Sequence, residues 1–186
     1  MLCGIGRTEI LKDFRKDSCI ASTRVAIDVL NHFHISAKPI ATALTVFNPT
    51  YARNIHNAGY IPTSPDEIKE WFEQGARSVE INSQDLAHVV AIIKNAYLLD
   101  LSLDQANRPH KKIHVSPHCS PIPKAFVCGE TAEYSVGGCI ICYHALPENK
   151  NFIHSRDWLY SDRTRRAIHS IISQIQKRLD KIVNLE

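Results

Sequence analysis

The stretch His88-Val-Val-Ala-Ile-Ile-Lys-Asn-Ala-Tyr-Leu-Leu-Asp-Leu-Ser-Leu-Asp-Gln105 carries the reading of the fold. Two apolar runs, 88–93 and 97–103, are split by Lys94-Asn95-Ala96, the pattern of a β-hairpin. A centre near Asn95 sets His88 across from about Ser102 or Leu103, so Asp100 and Asp104 flank the opposite position. On a regular strand 100, 102 and 104 share one face. An acid set among leucines is costly to bury unless a partner uses its charge. His88, opening its strand after the polar stretch Asn82-Ser83-Gln84-Asp85, is the partner within reach.

Outward from the hairpin, the spacing predicts a short helix over 8–16 and a longer one from Cys19 to about Phe33, with Asp17 or Ser18 as its cap. Residues 39–47 read as a strand closed by Asn48-Pro49, and 51–65 as irregular. Ser64-Pro65 starts a helix through Glu73. The four prolines between Arg108 and Pro123 predict an extended surface loop, and 135–143 another strand. The last helix, 162–183, aligns Ile168, Ile171, Ile172, Ile175, Leu179 and Ile182 on one stripe, with its Arg and Lys side chains as a solvated face. The expected architecture is α+β, one domain over 1–186, with the Cys19 helix packed on an antiparallel sheet.

Composition excludes several function classes. The 186 residues are 44% hydrophobic and 22% charged with a net charge of +3, ordinary globular values that do not announce a nucleic-acid or membrane-surface binder. The best apolar runs are strand-length, far short of the ~20 residues of a membrane span. The first residues lack the pattern of a signal peptide, so the expected address is cytoplasmic, with signal-independent export left open.

Six cysteines in a reducing compartment are expected as thiols. Cys139-Ile-Ile-Cys142 has a zinc-like spacing, with Cys119, Cys128, His118 and His144 nearby. On a strand, however, residues three apart point to opposite faces. Small buried residues are therefore expected for these four cysteines, with a structural zinc protein as the competing reading. Cys19 differs. In the first turn of a helix, unpaired N–H groups and the dipole favour a thiolate, and the same N–H groups supply half of an oxyanion hole.

Taken in order, Asp17-Ser-Cys19-Ile-Ala-Ser-Thr-Arg24, His88-Val-Val-Ala-Ile-Ile93 and Leu99-Asp100-Leu-Ser-Leu-Asp-Gln105 resemble the transglutaminase-like branch of the papain-like cysteine enzymes, over roughly 15–108. The resemblance implies a papain-like α+β fold with Cys19 as nucleophile, His88 as base and an aspartate orienter. It implies no organic cofactor, and no metal is expected. The family's D-x-[ST] pattern favours Asp100, with Asp104 as the alternative acid. The chain departs from the family in having no Gln or Asn at 12–16 to act as second oxyanion donor. It also has no Trp beside Cys19 or after His88. The expected activity is acyl transfer on an amide, peptide or isopeptide bond of a protein or peptide substrate through a thioester, with hydrolysis favoured over transamidation. A transglutaminase-like binding module whose chemistry has lapsed is the alternative. Neither a membrane nor a nucleic acid is an expected partner.

Overall fold

A computed structural model describes residues 2–14, 18–81 and 87–183. Asp17 and the polar stretch 82–86, both used in the sequence reading, lie outside them. The fold is α+β. Its centre is β1 (Ala37–Phe47), a strand long enough to serve three neighbours. Its first half pairs with β3 (His88–Ile93), and its second half pairs with β2 (Ser78–Ile81) on the same side and β7 (Cys139–Ala145) on the other. Beyond β3 come β4 (Tyr97–Asp100) and β5 (His118–Pro121), and beyond β7 comes β6 (Thr131–Val136). All seven strands pair antiparallel in one curled sheet.

Alternation along the strands gives the sheet two apolar faces. Val90, Ile92, Leu98, Ile141 and Tyr143 build a core on one side with Ile113, Val115 and Phe126. On the other, Ala91, Leu99 and nearby Leu101 meet the helices α1 (Leu2–Asp13), α2 (Cys19–His32) and α5 (Asp162–Val183) through Ile5, Val25, Val29, Ile168 and Ile171. Gly6 of α1 lets that helix close on Leu101, since a Cβ there would stand 3.0 Å from the leucine side chain. No helix among the described residues is long and apolar enough to cross a membrane.

The hairpin forms in the expected register, Ile93 opposite Tyr97 and Ala91 opposite Leu99. Lys94 and Asn95 both take left-handed backbone at its turn. Several local expectations are corrected. β4 stops at Asp100 and the chain coils into a 3-10 turn, Leu103–Ala106, so Asp100 and Asp104 do not share a strand face. The first helix starts at Leu2, well before Thr8.

Residues expected to be irregular form α3 (Pro49–Ala58). Asn48 accepts from the Tyr51 N–H and Pro49 sits in the first turn, so the dipeptide that ends β1 also starts a helix. Only Tyr51 of α3 is buried, which leaves no apolar period to read. The helix predicted from Ser64-Pro65 is α4 (Pro65–Glu73). The single strand expected over 135–143 is a hairpin of β6 and β7, turning at Gly137-Gly138 where both φ angles are positive (59° and 78°). The proline-rich loop contains β5 and buries Ile113 and Val115. The stripe of α5 covers the core through Ile175, but Leu179 and Ile182 are exposed.

Candidate active site

α2 meets the sheet at the end where β3 begins. One helical turn separates Cys19 from Thr23, and the Thr23 hydroxyl donates to the Val89 carbonyl at 2.7 Å. The Val89 N–H lies near Cys19 and lowers its thiol. The Val89 carbonyl thus pins one face of the helix. Ser18 is the N-cap of α2 and makes no side-chain capping bond. The Ser22 N–H bonds the Ser18 carbonyl, while the N–H groups before it have no intrahelical acceptor.

His88 is fully buried and faces Cys19, whose thiol it lowers. Its Nε2 lies 2.6 Å from Asp100 Oδ2. Asp100, 1% exposed, also accepts from the Tyr143 hydroxyl at 2.9 Å on Oδ2, and from the Ser102 N–H at 2.9 Å and hydroxyl at 3.1 Å on Oδ1. These donors make a buried carboxylate tenable. Asp104, the alternative acid, is not on His88. It forms a two-point ion pair with Arg7 of α1, at 2.7 and 3.1 Å. The end of β4 separates the two acids, because the 3-10 turn swings Asp104 toward the N-terminal helix.

The electrostatics follow from these neighbours. Burial works against the charge on His88, but the Asp100 carboxylate and the hydrogen bonds from Asp100 and Cys19 outweigh it and raise the imidazole to about 10. Burial also pushes the Cys19 thiol up. The hydrogen bond and charge of His88, with the Val89 N–H, overcome this and carry it below the ordinary thiol value of 9.0. An imidazole raised to about 10 beside a lowered thiol favours the pair of thiolate and imidazolium. Burial drives the thiols of Cys3 and Cys142 the other way, Cys142 to about 12 with Glu133 adding to the rise.

The remaining cysteines form no such constellation. Cys139 is buried in the core, and Cys142 packs on the opposite face against Phe47, Tyr51 and Trp71. Cys119 and Cys128 are exposed, against expectation, because they lie on an edge strand and a surface turn. Among the described residues, no group of three His, Cys, Asp or Glu is placed to hold a metal ion.

Three contributors were not legible in the sequence. Gln105 Nε2 lies 2.5 Å from His88 Nδ1. Tyr143 reaches Asp100 from a strand more than forty residues away in the chain. Trp158 stacks edge-on against Phe152, and both belong to the apolar group that contains Cys19. Trp158, from a remote loop, thus packs against the same apolar cluster as the nucleophile. Only the Asp-Gln pair at 104–105 carried a hint, through the resemblance already noted. A cleft of about 1110 Å³ opens next to Ser18, lined by Phe14, Leu159 and Tyr160 among others. Comparison with protein-family models, curated proteins and solved structures returns no match.

Proposed function

We propose that this chain is a cysteine-dependent acyl-transfer enzyme of the transglutaminase-like, papain-like kind, acting on an amide, peptide or isopeptide bond. The observation that carries the reading is the buried His88, held by Asp100 through Nε2 and set beside Cys19, whose thiol its charge lowers. The Cys19 thiolate attacks the carbonyl carbon, forming a C–S bond and moving the π electrons onto oxygen. First-turn N–H groups of α2 stabilise that oxyanion. As the C–N bond breaks, the imidazolium gives its proton to the departing nitrogen, leaving a thioester and neutral His88. Water or an acceptor amine then attacks the thioester and loses a proton to His88. The C–S bond breaks and the thiolate returns.

Asp100 holds the ring and offsets the imidazolium charge, remaining ionised throughout. The cleft that reaches Ser18, next to Cys19 in the chain, offers a substrate Phe14, Leu159 and Tyr160 among charged side chains such as Lys12, Asp13, Arg156 and Asp157. The test is site-resolved alkylation. Iodoacetamide at pH 6–7, read by mass spectrometry, should label Cys19 ahead of the exposed Cys119 and Cys128 in wild type. His88→Ala should abolish that preference. Equal labelling of the three cysteines in wild type would sink the proposal.

A further inference from the structure

The loop that leaves β4 touches both nitrogens of one imidazole. Asp100 sits on Nε2, and Gln105, five residues on, sits on Nδ1 at 2.5 Å. With Nε2 held by Asp100, the proton exchanged with Cys19 is the one on Nδ1, the edge that Cys19 and Gln105 share. We propose that Gln105 is a positioning residue whose side-chain amide keeps the Nδ1 edge of His88 directed at Cys19 whether or not that nitrogen carries a proton. This rests on the reading of Cys19 and His88 as nucleophile and base.

The seat of Gln105 is firm. Leu103 and Ala106 on either side are buried. The Gln105 N–H donates to the Ser102 carbonyl at 2.9 Å, and its own carbonyl accepts from Arg108 Nη1 at 2.8 Å. The neighbouring Asp104 is tied to Arg7, and Ser102 is bonded to Asp100 Oδ1. One short segment therefore fixes the carboxylate and the amide relative to each other, and the ring lies between them.

An amide suits this place because it has an acceptor end and a donor end that exchange by a half-turn. Its carbonyl shares Nδ1–H with the Cys19 thiolate in the imidazolium, and its NH₂ donates to bare Nδ1 once the proton has gone to a leaving amine. Neither state leaves Nδ1 without a partner, so the ring needs no rotation within the cycle. The other groups facing His88 are Cys19 from α2, Asp100 from β4 and the Tyr143 ring of β7, whose centre is 6.2 Å away. His118 of β5 pairs with Asp100 in the ladder.

Two variants separate positioning from mere packing. Gln105→Leu fills similar space with no polar atom. Gln105→Glu keeps the shape but serves only the protonated ring. The readouts are the ¹⁵N signals of the His88 ring against pH and the Cys19 alkylation profile. In Gln105→Leu the imidazole should titrate lower, and Cys19 alkylation near pH 6.5 should fall roughly 3- to 10-fold. In Gln105→Glu the imidazolium should persist to higher pH, while the added negative charge moves Cys19 alkylation up by about one pH unit. Wild-type ring signals and wild-type Cys19 profiles in a folded Gln105→Glu protein would overturn the inference, provided His88→Ala still abolishes the Cys19 preference. If wild type and His88→Ala label alike, the acyl-transfer reading falls, and the role of Gln105 falls with it.

Discussion

Replacing Asp100 with Asn changes one oxygen for an NH₂ at the most buried point of the site. The carboxylate accepts His88 Nε2 and the Tyr143 hydroxyl on one oxygen and the two Ser102 donors on the other. An amide offers a single acceptor end. If its NH₂ faces His88, the ring must present a bare Nε2 and move its proton to Nδ1, where it can no longer take one from Cys19. If the NH₂ faces Ser102, a buried backbone N–H loses its acceptor. Either way one group is left unpaired, at about 1–3 kcal/mol of stability, which a folded domain of this size tolerates.

The larger effect is on charge. Asp100 gives the largest rise to the His88 imidazole, and without it burial, which lowers it, weighs more heavily. The imidazolium charge beside Cys19 is then weakened, and the thiol rises with its loss. Alkylation of Cys19 near pH 6.5 should therefore fall by about 10-fold or more. Amide turnover should fall by about 10⁴-fold, the scale of a triad held in the wrong tautomer. The assay is the iodoacetamide rate at Cys19 across pH 5–10, with circular dichroism to verify folding. A folded Asp100→Asn protein with the wild-type profile would refute the reasoning.

Asp104→Asn should leave Cys19 alkylation within about threefold of wild type. It should lower stability in urea by about 2 kcal/mol, because it strips the nearly buried Arg7 of its counter-ion. The His88–Asp100 pair should shape stability against pH. The raised imidazole contributes fully below its ordinary value of 6.5 and is lost as pH climbs through about 10. The lowered Asp100 contributes above its ordinary 3.8 and is lost in stronger acid. The stability gap between wild type and His88→Gln should therefore be widest near pH 5 and shrink by pH 10.5, and a gap constant over that range would contradict the assignment. Asn48→Ala should cost about 3 kcal/mol in thermal or urea unfolding. Its fully buried side chain accepts from the Tyr51 and Arg77 N–H groups and donates to the Gly75 and Lys111 carbonyls.

The hairpin, the Cys19 helix, β1 and the terminal helix were legible in the sequence because each repeats a local period. Alternating or continuous apolar residues mark strands, and the isoleucine stripe marks α5. Cys19, His88 and the two acids Asp100 and Asp104 stood out as candidates for a related reason, since a thiol at a helix start and a polar group among aliphatics break those periods where they stand. α3 was not legible, because its start depends on the Asn48 cap and its sequence buries only one side chain. Nor was the exposure of Leu179 and Ile182, since a stripe gives no measure of how far the sheet extends beneath it.

The choice between Asp100 and Asp104 shows where local information ends. The hairpin register by itself flanks His88 with both acids. β4 stops at Asp100, Arg7 on the N-terminal helix claims Asp104, and Tyr143 arrives from β7 to claim Asp100. Gln105 reaches His88 from the turn beyond β4, and Trp158 joins the apolar cluster around Cys19 from a remote loop. Periodicity reports which side of an element is buried. The partner a polar group meets there is set by how distant elements pack, and only the tertiary structure decided that.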